Sequence, residues 1–122
     1  MYEAVYFKDA KTFVLRFFNK PGDADVTKGF VEFEALIEAN YDRSKFGLVI
    51  NVTEEAHYSF SILKRIRLNL MNLHRREFIG AMCAVNELQE KVDFRNGIDA
   101  DKLMPFFTSE DEALLYCKGK VY

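Results

Sequence analysis

Three observations predict an α/β fold with a mostly parallel sheet and one antiparallel edge strand. Stretches rich in β-formers alternate with stretches of helical periodicity, in the order ββαβαβαβα. The runs FGLVINVT (46–53) and EFIGAMCAV (77–85) are continuously apolar rather than alternating, as strands buried on both faces are. The two opening β-rich stretches are separated only by Lys8-Asp9-Ala10-Lys11, a short polar connection that predicts a hairpin. Right-handed crossovers between the parallel strands then place the helices mainly on one sheet face.

Taken in order, Tyr2 to Phe7 and Thr12 to Phe18 are the hairpin strands. Asn19-Lys20-Pro21-Gly22 is the first strong turn signal, after which Asp23 or Asp25 opens a helix. Its inward stripe is Val26, Phe30, Phe33 and Ile37, with Leu36 beside it, and it ends near Asn40 before the polar Asp42-Arg43-Ser44-Lys45. The strand 46–53 follows, then the polar loop Glu54 to Tyr58, and then a helix beginning near Ser59. The strand 77–85 contains Gly80, which marks either close packing of a helix or a bulge. A helix over 86–94, with Leu88 and Val92 inward, is closed by Asn96-Gly97. Met104 to Phe107 is a short strand. Thr108-Ser109-Glu110-Asp111-Glu112 is a double capping-box signature for a last helix over 113–118, stopped by Gly119.

Residues 1–122 read as one domain. An apolar fraction of 49% with twelve Phe fills a core without a disulfide or metal staple. The formal charge of −2 and a pI near 5.7 lack the basic footprint of a nucleic-acid binder. No apolar run approaches the roughly 20 residues that span a bilayer, so no stable membrane insertion is expected. The start, MYEAVYFKDAK, lacks the basic-then-apolar layout of a signal peptide, and a cytoplasmic location is the default expectation. Cys83 and Cys117, far apart in sequence and outside any CxxC spacing, read as buried thiols without a metal or redox role.

The opening hairpin, the run LVINVT followed by a loop and a Ser-bearing helix, and the ending FFTSEDEALLYC together resemble the STAS domain, and within it the SpoIIAA-like group. The resemblance spans nearly the whole chain and rests on element order and hydrophobic pattern. It implies a regulatory, non-enzymatic interaction module. In the family's anti-sigma-factor antagonists, the loop after the third strand carries Asp-Ser-Ser/Thr-Gly, whose serine is phosphorylated to control partner binding. The corresponding stretch here is Tyr58-Ser59-Phe60-Ser61-Ile62, without the Asp and Gly, and Asn51 stands where the family often has a strand-end Asp.

Ser59 and Ser61 are the candidate phosphoacceptors, since a phosphate at a helix N-terminus is electrostatically favoured. Simple capping, worth about 1 kcal/mol, is the better-supported role. In the helix that follows, Ile62, Leu63, Ile66, Leu70 and Leu73 gather on one face, which must be the core side. Phe60, Leu68 and Met71 fall near the opposite face, interleaved with Lys64, Arg67 and Arg75. These six form a candidate docking ridge for an acidic partner, an identical subunit or an anionic surface. His57 and His74 lie too far apart along a regular helix to share a metal, and no nucleophile accompanies His57 beside Glu54 and Glu55. Neither a catalytic constellation nor a glycine-rich phosphate loop is present, so no cofactor is expected.

The expected function is therefore a protein-interaction module docking through residues 53–76 onto a protein partner or a second copy. The alternative is a carrier in which twelve Phe and four Met line a cavity for an apolar, lipid-like small ligand. Simple core filling by those aromatics is favoured over the cavity.

Overall fold

The computed structural model of the chain describes residues 1–18, 21–52, 60–74, 79–85 and 105–122. In chain order these hold β1 (Tyr2–Phe7), β2 (Thr12–Phe17), α1 (Asp23–Asn40), β3 (Phe46–Asn51), α2 (Phe60–His74), β4 (Ile79–Val85), β5 (Phe106–Phe107) and α3 (Glu110–Val121). The strands form one sheet in the order β1-β2-β3-β4-β5. β1 and β2 pair antiparallel and every later pair is parallel. The expected α/β architecture with an antiparallel edge hairpin is thus observed. The helix expected over 86–94 and its Asn96-Gly97 stop lie outside the described residues.

The continuous apolar runs are buried on both faces because helices cover both. Phe13, Leu15 and Phe17 of β2, Phe46, Leu48 and Ile50 of β3, and Met82 and Ala84 of β4 point to one face. There they meet Val26, Phe30, Phe33 and Ile37 of α1 and Ile62, Ile66, Leu70 and Leu73 of α2. Burial of each of these Leu, Ile or Phe side chains stabilises the fold by about 1.5–3 kcal/mol. Val14, Val49, Ala81, Cys83 and Val85 point to the other face and pack under Ala113 and Cys117 of α3. Helices lying mainly on one face is therefore right for α1 and α2. The terminal helix amends it, because a strand-rich sheet with apolar residues on both sides needs a second cover.

Several local features explain how this packing is reached. The hairpin connection is a single 3₁₀ turn, Lys8–Ala10, closed by Lys11 in the left-handed conformation at φ 49°. α1 opens at Asp23, as expected, behind Gly22, whose N–H donates to Asp25 Oδ2 at 2.9 Å. A Cβ on Gly47 would sit 2.7 Å from both Cys117 Cβ and Thr12 Oγ1, so glycine is what lets α3 lie this close to β3. Phe46 pairs with Ile79 but Gly47 with Ala81, which leaves Gly80 as a bulge. A Cβ there would also lie 2.9 Å from Val121 Cγ1, so both alternatives read from the sequence hold at once.

The boundaries of the last strand and the last helix, which spans Glu110–Val121 rather than 113–118, differ from expectation. β5 is only Phe106–Phe107. Gly119 does not stop α3, which runs to Val121 and closes with Tyr122 N–H donating to the Lys118 carbonyl. Ser109 caps its start as expected, accepting from Glu112 N–H at 3.2 Å. The helix continues because its last turn packs on the sheet through Val121, a tertiary contact that outweighs roughly 1 kcal/mol of glycine propensity.

Candidate functional site

The outer face of α2 is set by helical phase. At about 100° per residue, the buried positions Ile62, Ile66, Leu70 and Leu73 point together into the sheet. Lys64, Leu68 and Met71 consequently point away from it, and all three are exposed, Leu68 at 49% and Met71 at 37%. Ser61, in the first turn, is exposed as well. Phe60 and Arg67 belong to α2. Ser59, Arg75, His57, Glu54, Glu55 and the rest of the loop from 53 lie outside the described residues.

Two neighbours outside the six residues of the ridge complete this surface. Arg65 reaches across to α1, where its Nη2 donates to Thr27 Oγ1 at 3.2 Å and its Nε lies 3.8 Å from Asp23 Oδ1. Val31, one turn beyond Thr27, is 62% exposed. It lies outside the inward stripe of α1, and that was its only signal in the sequence.

A second polar constellation stands at the carboxyl ends of β2 and β3, where α/β sheets commonly hold ligands. Arg16 donates from Nε and Nη2 to the two oxygens of Glu110, at 2.8 and 2.5 Å. Its Nη1 donates to Glu3 Oε1 at 2.8 Å, and Asn51 Nδ2 donates to Glu110 Oε2 at 2.7 Å. The guanidinium, followed by the Asn51 amide, holds the Glu110 carboxyl below its ordinary range, and Glu110 in turn raises Arg16. With its guanidinium nitrogens engaged, Arg16 acts as a clamp joining the hairpin, β3 and the start of α3. Asn51 at the strand end was singled out from the sequence. The pairing of Arg16 with Glu110 was not, because 94 residues separate them and no short-range pattern connects the two.

Cys83 and Cys117 are both buried, and their Sγ atoms are 3.6 Å apart between β4 and α3. The hydrogen bond between them, and then burial, push Cys83 far above the ordinary thiol range. No group of three or more His, Cys, Asp or Glu capable of holding a metal occurs among the described residues. No helix among them is long and apolar enough to cross a membrane.

Fold and surface together define a small α/β domain with a basic and apolar ridge on one helix. No protein-family model, curated protein or solved structure matches the chain.

Proposed function

We propose that this chain is a non-enzymatic protein-interaction module of STAS type that docks through the outer face of α2. One observation carries the reading: Leu68 and Met71 are exposed on a helix whose inward residues Ile62, Ile66, Leu70 and Leu73 are buried, so their apolar surface serves no core. Lys64 and Arg65 stand beside them, and α2 contains no acid. The STAS assignment is supported by the hairpin, the parallel strands and the terminal strand and helix. Ser61 is the described candidate for phosphorylation. A dianionic group there would stand within the first turn, next to Lys64, and would reverse the sign of this end of the ridge.

The carrier reading is weaker, because the described aromatics engage one another. Tyr6 stacks on Phe13 with ring centroids 4.3 Å apart. Phe13 meets Phe46 edge-on at 5.6 Å, and Phe17 packs on Phe30 at 5.9 Å. Such contacts fill a core.

Affinity capture from the native host lysate, comparing the wild-type chain with Leu68→Asp/Met71→Asp, tests the docking reading. A protein retained by wild type and lost by the folded variant is the expected result. Equal retention of every captured protein by both forms would remove α2 as the docking surface.

A further inference from the structure

We propose that the partner of this surface is a second copy of the chain, joined by a two-fold contact that sets the acidic α1 of each copy on the basic α2 of the other. The proposal rests on the reading of α2 as a docking face and names what it docks.

α1 and α2 form a single layer over the sheet. Both connect parallel strands, so they run in the same direction. The contacts of Arg65 with Thr27 and Asp23 fix their relative level. One turn beyond Thr27 is Val31, and one turn beyond Arg65 are Leu68 and Asn69. The exposed apolar groups Val31, Leu68 and Met71 therefore sit near the middle of the layer, with exposed Ala24 and Ala35 on the outer side of α1.

Charge divides that layer lengthwise. α1 carries Asp23, Asp25, Glu32, Glu34 and Glu38 against the single base Lys28, with Asp25 paired to the amino terminus, Glu32 to Tyr2 and Asp23 to Arg65. α2 carries Lys64, Arg65 and Arg67 and no acid. A uniformly acidic partner would suit α2 and be repelled by α1, and an anionic membrane would be repelled in the same way. A surface that satisfies both helices must carry both signs in matching stripes. A second copy does so when a two-fold axis runs along the groove between α1 and α2, since that rotation exchanges the two stripes. The same rotation preserves level along the helices, so Val31 of one copy meets Leu68 of the other twice over.

Size agrees. Helices of 18 and 15 residues are about 27 and 22 Å long at 1.5 Å per residue. Lying about 10 Å apart, they present a face on the order of 500 Å² in projection. Two such faces reach the roughly 1,000 Å² at which specific association begins. With three exposed apolar groups and much charge, the contact belongs to the weak, reversible class whose affinity falls with salt.

Sedimentation equilibrium of the full chain, with two charge-reversed variants, is the test. Glu34→Lys/Glu38→Lys cancels the net negative charge of α1 and leaves α2 basic, and Lys64→Glu/Arg65→Glu makes both helices acidic. These positions are exposed, and far-ultraviolet circular dichroism checks that each variant is folded. The expected result is a wild-type dimer that dissociates on dilution and in high salt. Each variant alone is monomeric, while an equimolar mixture of the two regains a dimer. Val31→Asp supplies an independent loss of the dimer should a charge variant fail to fold. A wild-type chain that stays monomeric at all concentrations overturns the proposal, as does a variant that dimerises alone or a mixture that forms no heterodimer. A monomeric wild type that still captures a protein through Leu68 and Met71 would overturn the second copy while sparing α2 as a docking face.

Discussion

Leu68 and Leu70 are two residues apart in the chain and serve opposite purposes. Leu70 is 1% exposed and Leu68 faces outward, a difference set by a 200° turn of the helix. Leu70→Ala is expected to cost about 2–5 kcal/mol. Leu68→Asp/Met71→Asp should stay within about 0.5 kcal/mol per site, and urea denaturation of the three forms measures both. This contrast was legible in the sequence, because a 3.6-residue repeat assigns faces from spacing alone. The Arg16–Glu110 clamp was not legible, since a contact between the ends of a chain leaves no local period. Its energetic signature is a dependence on pH. Glu110 has a lower carboxyl pKa folded than unfolded, so the unfolded chain takes up its proton first. The stabilisation is complete above the ordinary Glu range near 4.3 and disappears as pH falls through the folded value. Glu110→Gln should therefore lower stability at neutral pH by about 1–2 kcal/mol, after allowance for partial exposure. It should also flatten the acid limb of the stability profile, which denaturant midpoints measured from pH 3 to pH 7, roughly the carboxylate-to-neutral window, would show. An unchanged acid limb would mean that the clamp contributes no stability.

At the scale of elements, patterning located the strands and helices, and tertiary contacts decided where they end. Lys8–Ala10 forms a 3₁₀ turn where only a polar connector was foreseen. α3 passes through Gly119 because Val121 is anchored against Gly80. The close approach of α3 to the sheet depends on Gly47. A methyl group at that position would meet Cys117 and Thr12, both buried, so neither has room to withdraw without moving α3. Gly47→Ala is expected to destabilise by about 1–3 kcal/mol through overpacking. Because the strain falls on the contact between Cys117 and β3, it should also speed labelling of the two thiols by iodoacetamide. Wild-type Cys83 and Cys117, fully buried, should react only on unfolding. Rapid labelling of the native wild type would contradict the packing of α3. The proximity of the two cysteines was hidden from the sequence for the same reason as the clamp: β4 and α3 meet through the sheet, not along the chain.

For the molecule as a whole, an ordered run of parallel strands leaves α1 and α2 side by side on one face. Their outward residues then make one surface, although each helix was patterned separately. Lys64 and Arg67 were legible as basic residues of α2, but that helix was read alone. The acidic stripe beside it acquires meaning only once Arg65 is seen to lie against Thr27 and Asp23. A division of charge of this kind steers two copies toward one relative orientation before any apolar contact forms.

Met71 offers the most direct measurement of whether that surface is covered. Its sulfur stands on the outer face of α2, whereas Met82 is buried in the core at 4% exposure and serves as an internal reference. Peroxide oxidation of the purified chain, followed by peptide mass spectrometry at increasing protein concentration, compares the two. The account predicts that Met71 oxidises readily in dilute solution and is increasingly protected as the concentration rises, with Met82 slow throughout. Oxidation of Met71 at one unchanging rate from dilute to concentrated protein would contradict it.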